Sequence, residues 1–175
     1  MFFIPGQLIA LVTFPGVIVH EFAHMIFCRL RGVAVLEVVY FQFSDPSGYV
    51  IHERTKDFTS SFLIATGPFF VNSILCFLIC FPAYLPISYF DVSHPLSYFL
   101  MWLGLSIGMH AIPSSQDAQN LWSDAKQHVK SLNPLAIIAF PIVILIYVFN
   151  VLRVIWADLL YGLLLGVGIP SLIFQ

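Results

Sequence analysis

The sequence predicts an all-α polytopic membrane protein with four to five transmembrane helices and a β-hairpin between the first and second helices. Two observations predict this class: 59% of the 175 residues are hydrophobic, and only 9% are charged. A soluble globular protein carries roughly 25% charged residues. The composition therefore excludes a soluble enzyme and a nucleic-acid binder. It predicts a single membrane-embedded domain over residues 1–175, with a core over 1–130 and C-terminal helices over 131–175.

Runs that lack basic and acidic side chains locate the predicted spans. Four of them are long enough for a helix of about 20 residues to cross a bilayer. They cover residues 2–28, where Glu21 is the one acidic residue, 58–90, 92–116 and 131–152. The last apolar stretch, 159–175, is shorter, and both a span and an interfacial helix stay open for it.

Basic residues predict the orientation of these spans. Six of the seven lie in three segments that share one side of the membrane if the spans alternate: Arg29, Arg31, Arg54, Lys56, Lys126 and Lys130. By the positive-inside rule that side is cytoplasmic and the N-terminus is outside. We therefore expect an integral protein of the cell membrane in which these three segments face the cytoplasm. Arg153, at the far end of the fourth span, is the exception.

A β-hairpin is predicted between the first two spans. Residues 33–43 are rich in β-branched and aromatic side chains, and the turn sequence Asp45-Pro46-Ser47-Gly48 precedes a second short strand. The unpaired main-chain groups of a strand edge cannot face lipid. We therefore expect this edge to meet protein, water or a guest peptide.

The first span contains an H-E-x-x-H sequence, His20-Glu21-Phe22-Ala23-His24. Residues four apart share one helix face, so both imidazoles can bind one metal ion. Glu21 lies about 100° further round the helix, where it can take a proton from water activated by the metal. Two satisfied interface histidines with an unrelated glutamate are the structural alternative. Because ionisable side chains inside a span are usually functional, we predict one Zn²⁺ held by His20 and His24, with Glu21 catalytic.

A catalytic zinc takes three protein ligands, and Asp117 is the favoured third one. It follows the third span on the same predicted side of the membrane as His24. Ser114-x-x-Asp117 is also a capping-box pattern that would start a helix running to Lys130. Glu53 and Cys28 stay as rivals: Glu53 imitates the downstream glutamate of soluble zincins, and Cys28 extends the histidine face by one turn.

These motifs resemble the site-2 protease family of intramembrane zinc metalloproteases, as a compact member without an appended peptide-binding domain. The resemblance covers about residues 10–125, and four stretches carry it in order: His20–His24, the hairpin with Gly48-Tyr49-Val50, Gly67-Pro68-Phe69-Phe70-Val71-Asn72, and His110–Asp117. The chain departs from the family pattern in having His110 in place of an Asn and Ala118 in place of a Gly. The spacings around Asn72 and Asp117 also differ by one residue.

The resemblance implies roles for further residues. It makes Asp117 the third zinc ligand, and it makes Asn72 and His110 substrate-contacting or oxyanion-stabilising groups. A structural alternative stays open for each of these two residues. Asn72 can link helices, as a buried amide often does in a membrane, and His110 can be a core histidine whose hydrogen bonds are satisfied.

We therefore expect an intramembrane zinc endopeptidase that hydrolyses a peptide bond in or near a transmembrane segment. The expected partners are a membrane-anchored protein substrate and the lipid bilayer, without nucleic acid; a regulatory membrane partner or a homo-oligomer is left open. The hairpin edge would hold the unwound substrate as an added strand. Water would reach the metal past polar residues: Thr59, Ser60, Ser61, Ser114, Ser115 and Gln116. The alternatives are a membrane-surface zincin that uses Glu53, and a non-catalytic zinc-binding membrane protein.

Overall fold

The structure, a computed structural model, describes residues 5–90, 92 and 94–174. Residues 2–4 of the first predicted span, Asp91 and Gln175 lie outside the described residues. The described part is mostly helical with one antiparallel strand pair. Its elements are α1 Gly6–Val12, α2 Phe14–Leu30, β1 Val35–Val39, β2 Tyr49–His52, α3 Phe58–Tyr84, α4 Pro95–Met109, α5 Ser115–Lys130, α6 Pro134–Leu152, α7 Ala157–Leu163 and α8 Ile169–Ile173. π-helical turns extend α3 to Tyr89 and join α7 to α8.

The first predicted span is not one straight helix, because α1 and α2 meet at an angle of 90°. Thr13 separates them and closes α1 through its N–H, which donates to Ile9 O at 2.9 Å. Pro15 stands in the first turn of α2. Since proline has no N–H to donate to the carbonyl four residues earlier, the α1 ladder cannot continue into α2.

The hairpin is confirmed between α2 and α3. Strands β1 and β2 pair antiparallel, with Val38 opposite Val50 and Val39 opposite Tyr49. The paired part of β1 is shorter than the apolar run that predicts it, and an irregularity interrupts the register between Val35 and Glu37.

Helices α2, α3 and α4 pack together. The H-E-x-x-H sequence lies on α2, at its contact with the other two helices. A side chain at Gly16 would overlap Ser106 and His110, so glycine is what lets α2 approach α4 this closely. The amide of Asn72 on α3 bridges the same contact, donating to Ile107 O and His110 O, each at 3.1 Å. Helix α3 runs through Pro68 without ending.

Helices α5 and α6 form a second unit against the beginning of α3. Buried side chains recur three or four positions apart on both helices, which gives each one an apolar face. The shared core consists of Phe58, Ala65, Ala118, Leu121, Ala125, Ala136, Ala139, Val143 and Ile146. α6 ends in a short 3₁₀ turn, and Trp156 in a left-handed conformation separates that turn from α7. The C-terminal helices then pack on α4, where Gly162 contacts Gly108.

Two helices are long and apolar enough to cross a membrane: the extended α3, Phe58–Tyr89 with 32 residues, and Pro134–Ile155 with 22. The bent pair of α1 and α2 makes a third candidate if it counts as one span. Pro95–Met109 and Ala157–Ile173 are apolar but shorter. The described residues thus contain two or three candidate spans.

Substituting Leu121→Ala tests the contact between α5 and α6. Leu121 is fully buried at the centre of their shared core, so the cavity left behind should lower the free energy of unfolding by about 2–5 kcal/mol. Thermal unfolding of the purified protein in detergent measures the loss. Leu172→Ala, at a side chain that is 67% exposed, should leave the midpoint unchanged. Equal midpoints for both variants would contradict this core.

Candidate metal centre

His20 and His24 lie one turn apart on α2, and main-chain carbonyls of two other helices orient their rings. His20 Nδ1 is 2.6 Å from the carbonyl oxygen of His110 at the end of α4. His24 Nδ1 is 2.9 Å from the carbonyl oxygen of Ile64 on α3. Because a carbonyl oxygen can only accept a hydrogen bond, each Nδ1 carries a proton and donates it.

In this tautomer the lone pair of each ring lies on Nε2. The orientation of the rings places the two Nε2 atoms opposite each other. The two Nε2 atoms are 3.1 Å apart, and both side chains are buried. Two lone pairs at this distance repel each other unless a cation, a proton or a metal ion, lies between them. Metal-binding histidines are oriented in the same way, with the second ring nitrogen donating to a carbonyl or carboxylate.

Asp117, in the first turn of α5, adds a carboxylate to the histidine pair. Its Oδ2 is 3.3 Å from His24 Nε2 and 3.6 Å from His20 Nε2. The capping box is also present, since Ser114 N and Oγ donate to the same Oδ2 at 2.9 Å and 2.6 Å. The three ligand atoms lie within 4.8 Å of one another. The helix cap therefore fixes Asp117 in the position that the ligand role requires.

The Asp117 carboxyl group is ionised beside the two rings. Burial works to raise the pKa of its carboxyl, but the positive charge of His24 in its protonated form, and the hydrogen bonds that protonated rings donate through Nε2, hold the pKa well below its usual range. The carboxylate thus supplies a negative charge that two imidazoles cannot.

Glu21 is a buried residue that lies beside this cluster. The residue is 9% exposed, and among the described residues no group donates a hydrogen bond to its carboxylate. Gly48 of the hairpin packs directly on the Glu21 side chain, and a Cβ at that position would lie 2.8 Å from Glu21 Cγ. The carboxylate oxygens of Glu21 are not among the buried, unpartnered atoms of the described residues, so they reach accessible space where they can exchange a proton with a bound molecule.

Two cavities meet the cluster from different directions. One, of about 600 Å³, reaches Asp117 between strand β2 and helices α3 and α5. The other, of about 310 Å³, contains His20, Glu21, Gly48 and His110. Of the polar residues predicted to line the water path, Ser61 lines the first cavity and Ser114 the second. Ser60 instead bonds to Asp57 and Arg31.

The structure brings His110 to the site and holds Asn72 behind it. The His110 ring lines the smaller cavity, and its Nε2 is 2.8 Å from Thr13 Oγ1. Asn72 is fully buried, lines neither cavity, and spends its N–H groups on carbonyls of α2 and α4.

The rivals for the third ligand lie elsewhere. Glu53 is exposed after β2, where its N–H donates to Ala34 O. Cys28 is fully buried but does not belong to the group of ligand atoms formed by His20, His24 and Asp117.

No family model, curated protein or solved structure matches this chain. Its function must therefore be inferred from the donor atoms, carboxylates and cavities of the site, together with the motifs of the sequence.

Three residues of this site were not predicted from the sequence. Thr13 orients His110 from the bend between α1 and α2. Arg153 and Asp158 form an ion pair, with Nε and Oδ2 2.6 Å apart, on the wall of the smaller cavity. Their signal in the sequence was two opposite charges five residues apart in the otherwise uncharged stretch 131–175.

Removing one ligand tests whether this cluster binds a divalent metal. We expect His24→Ala and Asp117→Asn to weaken zinc binding by at least about tenfold, since even residues that only support metal ligands are worth 10–100-fold in affinity. Asn keeps an oxygen that can cap α5, so its loss of metal is not a loss of the helix. Zinc is measured by elemental analysis after dialysis against a graded chelator. Asp124→Asn, next to the larger cavity, is the matched control; equal zinc in all four proteins would contradict the site.

Proposed function

We propose that this chain is an intramembrane zinc endopeptidase that hydrolyses a peptide bond in or near a transmembrane segment of a membrane-anchored protein. The observation that carries the proposal is the convergence of two imidazole Nε2 atoms and one carboxylate beside Glu21, which lines the adjoining cavity and accepts no hydrogen bond from the described residues. The order of motifs that resembles the site-2 protease family supports the same reading.

His20, His24 and Asp117 would hold the metal. Two nitrogens and one carboxylate oxygen are a donor set of catalytic zinc, which leaves its fourth position open. When bound, zinc supplies Lewis acidity, which activates water at neutral pH and polarises a peptide carbonyl. The carbonyls of His110 and Ile64 keep both imidazoles in the tautomer that can bind a cation.

Glu21 would act as the general base and then as the general acid. It takes the proton of the attacking water and passes it to the amine that leaves. Two features favour this role: Glu21 lines the cavity that also contains His20, and no group among residues 5–90, 92 and 94–174 donates a hydrogen bond to its carboxylate. A zinc site that serves structure alone has no use for such a base.

His110 and Asn72 fit supporting roles in this mechanism. Thr13 Oγ1 donates to Ile9 O at 2.7 Å, so its oxygen accepts from His110 Nε2, and Nδ1 of that ring keeps its lone pair. In this tautomer the His110 ring can accept a hydrogen bond from a substrate. Asn72 has already spent its N–H groups on helix carbonyls, and stabilisation of an oxyanion by either residue stays a prediction.

We further propose that the chain is a polytopic protein of the cell membrane, with the N-terminus outside and the site towards the cytoplasm. The extended α3 and α6 support the first part, and α6 exposes large apolar side chains such as Ile138, at 73%. The six basic residues near one membrane side support the orientation. Arg153 stays the exception to this charge distribution; in the structure it pairs with Asp158.

The free edge of β2 would hold the substrate as an added strand. Glu53 N bonds to Ala34 O at one end of β2, and Ser47 O accepts from Gln42 N at the other. Since alternate residues of a strand turn their main-chain groups to opposite edges, the N–H of Val50 and of His52 face away from β1. Both residues line the larger cavity, which leads to Asp117.

Substituting Val50→Pro tests strand addition. Proline removes the N–H at the free edge without taking a hydrogen bond from β1, and we expect cleavage to fall by about tenfold, the worth of one to two hydrogen bonds. Val50→Ala keeps the N–H and should cleave at a rate close to the wild-type rate. Zinc content, measured in parallel, should be equal in all three proteins. Equal cleavage by the Pro and Ala variants would exclude this edge as the platform.

Substituting Glu21→Gln tests the catalytic role and separates the proposal from its alternatives. We expect zinc to be retained and cleavage of a membrane-anchored reporter to fall by at least about 100-fold, as for loss of a general base. Glu53→Ala, in the same assay, should behave as wild type; loss of activity there would favour a membrane-surface zincin. Full activity of Glu21→Gln would exclude the proposed mechanism, and zinc without cleavage in the wild type would favour a non-catalytic protein.

A further inference from the structure

Two charged residues from the C-terminal helices line the cavity that contains His20 and Glu21. Arg153 follows α6 and Asp158 belongs to α7, and the Arg153 Nε donates to Asp158 Oδ2 at 2.6 Å. Arg153 Nη2 also donates to Ile112 O at 3.3 Å. Taking two charges out of water is costly even when they pair, and ionisable residues at membrane depth usually face a functional cavity.

A structural role, in which the ion pair bridges the break between α6 and α7, accounts for Asp158 Oδ2 but not for Oδ1. The 3₁₀ turn Arg153–Ile155 and the left-handed Trp156 interrupt the helix there, and the bond from Arg153 to Oδ2 bridges the interruption. Asp158 is 5% exposed, yet its Oδ1 is buried and has no hydrogen-bond partner among the described residues. A buried acceptor left unsatisfied costs free energy that a purely structural ion pair need not incur.

We propose that Asp158 Oδ1 accepts a hydrogen bond from the substrate, so that Arg153 and Asp158 form a recognition subsite of the catalytic cavity. This inference rests on the proposed endopeptidase function and adds to it a residue that selects or holds the substrate. Asp158 is a substrate-binding residue in this proposal, since its Oδ1 contacts the substrate away from the reacting atoms.

The charge of Arg153 defines the chemistry that this subsite accepts. Because the guanidinium neutralises the carboxylate at 2.6 Å, the subsite favours a neutral N–H or O–H donor over a free ammonium group. An unwound transmembrane peptide brings such donors, since its backbone N–H groups have lost their helical partners. The donor is thus a backbone N–H of the substrate or a side-chain amide or hydroxyl.

The test compares the full-length zinc-loaded protein in detergent with Asp158→Asn and with the double variant Arg153→Met/Asp158→Leu. The probe is a mixture of synthetic peptides of defined sequence, whose individual kcat/KM values are followed by mass spectrometry. We expect both variants to cleave about tenfold to 100-fold more slowly than wild type, the worth of a hydrogen bond to a charged group. Zinc content and melting temperature should stay at the wild-type values in the double variant, because apolar replacements of a buried ion pair keep packing.

Two further arms identify the source of the donor. If the donor is the backbone, N-methylation at one peptide position lowers the kcat/KM of the wild type and leaves that of Asp158→Asn unchanged. The Asp158→Asn substitution then lowers kcat/KM by a similar factor for all peptide sequences. If it is a side chain, the loss is confined to peptides with Ser, Thr, Asn or Gln at one position. Either result supports the subsite.

Equal kcat/KM values for the wild type and the well-folded double variant on every peptide would overturn the subsite, and the pair would then only close the break between α6 and α7. Failure of the proposed function looks different: the wild type itself would cleave no peptide at any zinc concentration, which overturns both proposals together.

Discussion

The candidate metal centre depends on two hydrogen bonds from histidine rings to main-chain carbonyls. The carbonyls of His110 and Ile64 fix the tautomer of His20 and His24, and so decide that both Nε2 atoms face one point. Those carbonyls belong to α4 and α3, whereas the histidines belong to α2. The geometry of the site is therefore a property of the packing of three helices, and the close approach at Gly16 and the amide bridge of Asn72 are part of it.

The parts of the site that follow from local spacing could be predicted from the sequence. Two histidines four residues apart must share a helix face, and Ser114 with Asp117 is a capping pattern that the structure contains. Asp117 could be ranked above Glu53 because it follows an apolar run, and the structure brings Asp117, not Glu53, to the histidines. The hairpin was predictable from its β-branched run and its turn residues.

Other features could not be predicted, because they depend on contacts between distant parts of the chain. Main-chain carbonyls carry no residue-specific signal, so the partners of the histidine rings were invisible in the sequence. Pro15 lies in an uninterrupted apolar run, which predicts one span. In the structure this run forms two helices at 90°, with Thr13 between them and Pro15 in the first turn of the second. From the sequence, Arg153 is only an exception to the distribution of basic residues. Its contacts with Asp158 and with the cavity depend on the fold. The number of apolar runs likewise exceeds the two or three helices that meet the length and composition of a span.

The position of the two carbonyls along the chain has a consequence for biogenesis. His20 must wait for an acceptor 90 residues further along, His24 for one 40 residues further along, and both for the carboxylate of Asp117. A nascent chain that has emerged only as far as α3 therefore has no complete set of donors. A metal ion could therefore find all three candidate ligands only after α4 and α5 have docked.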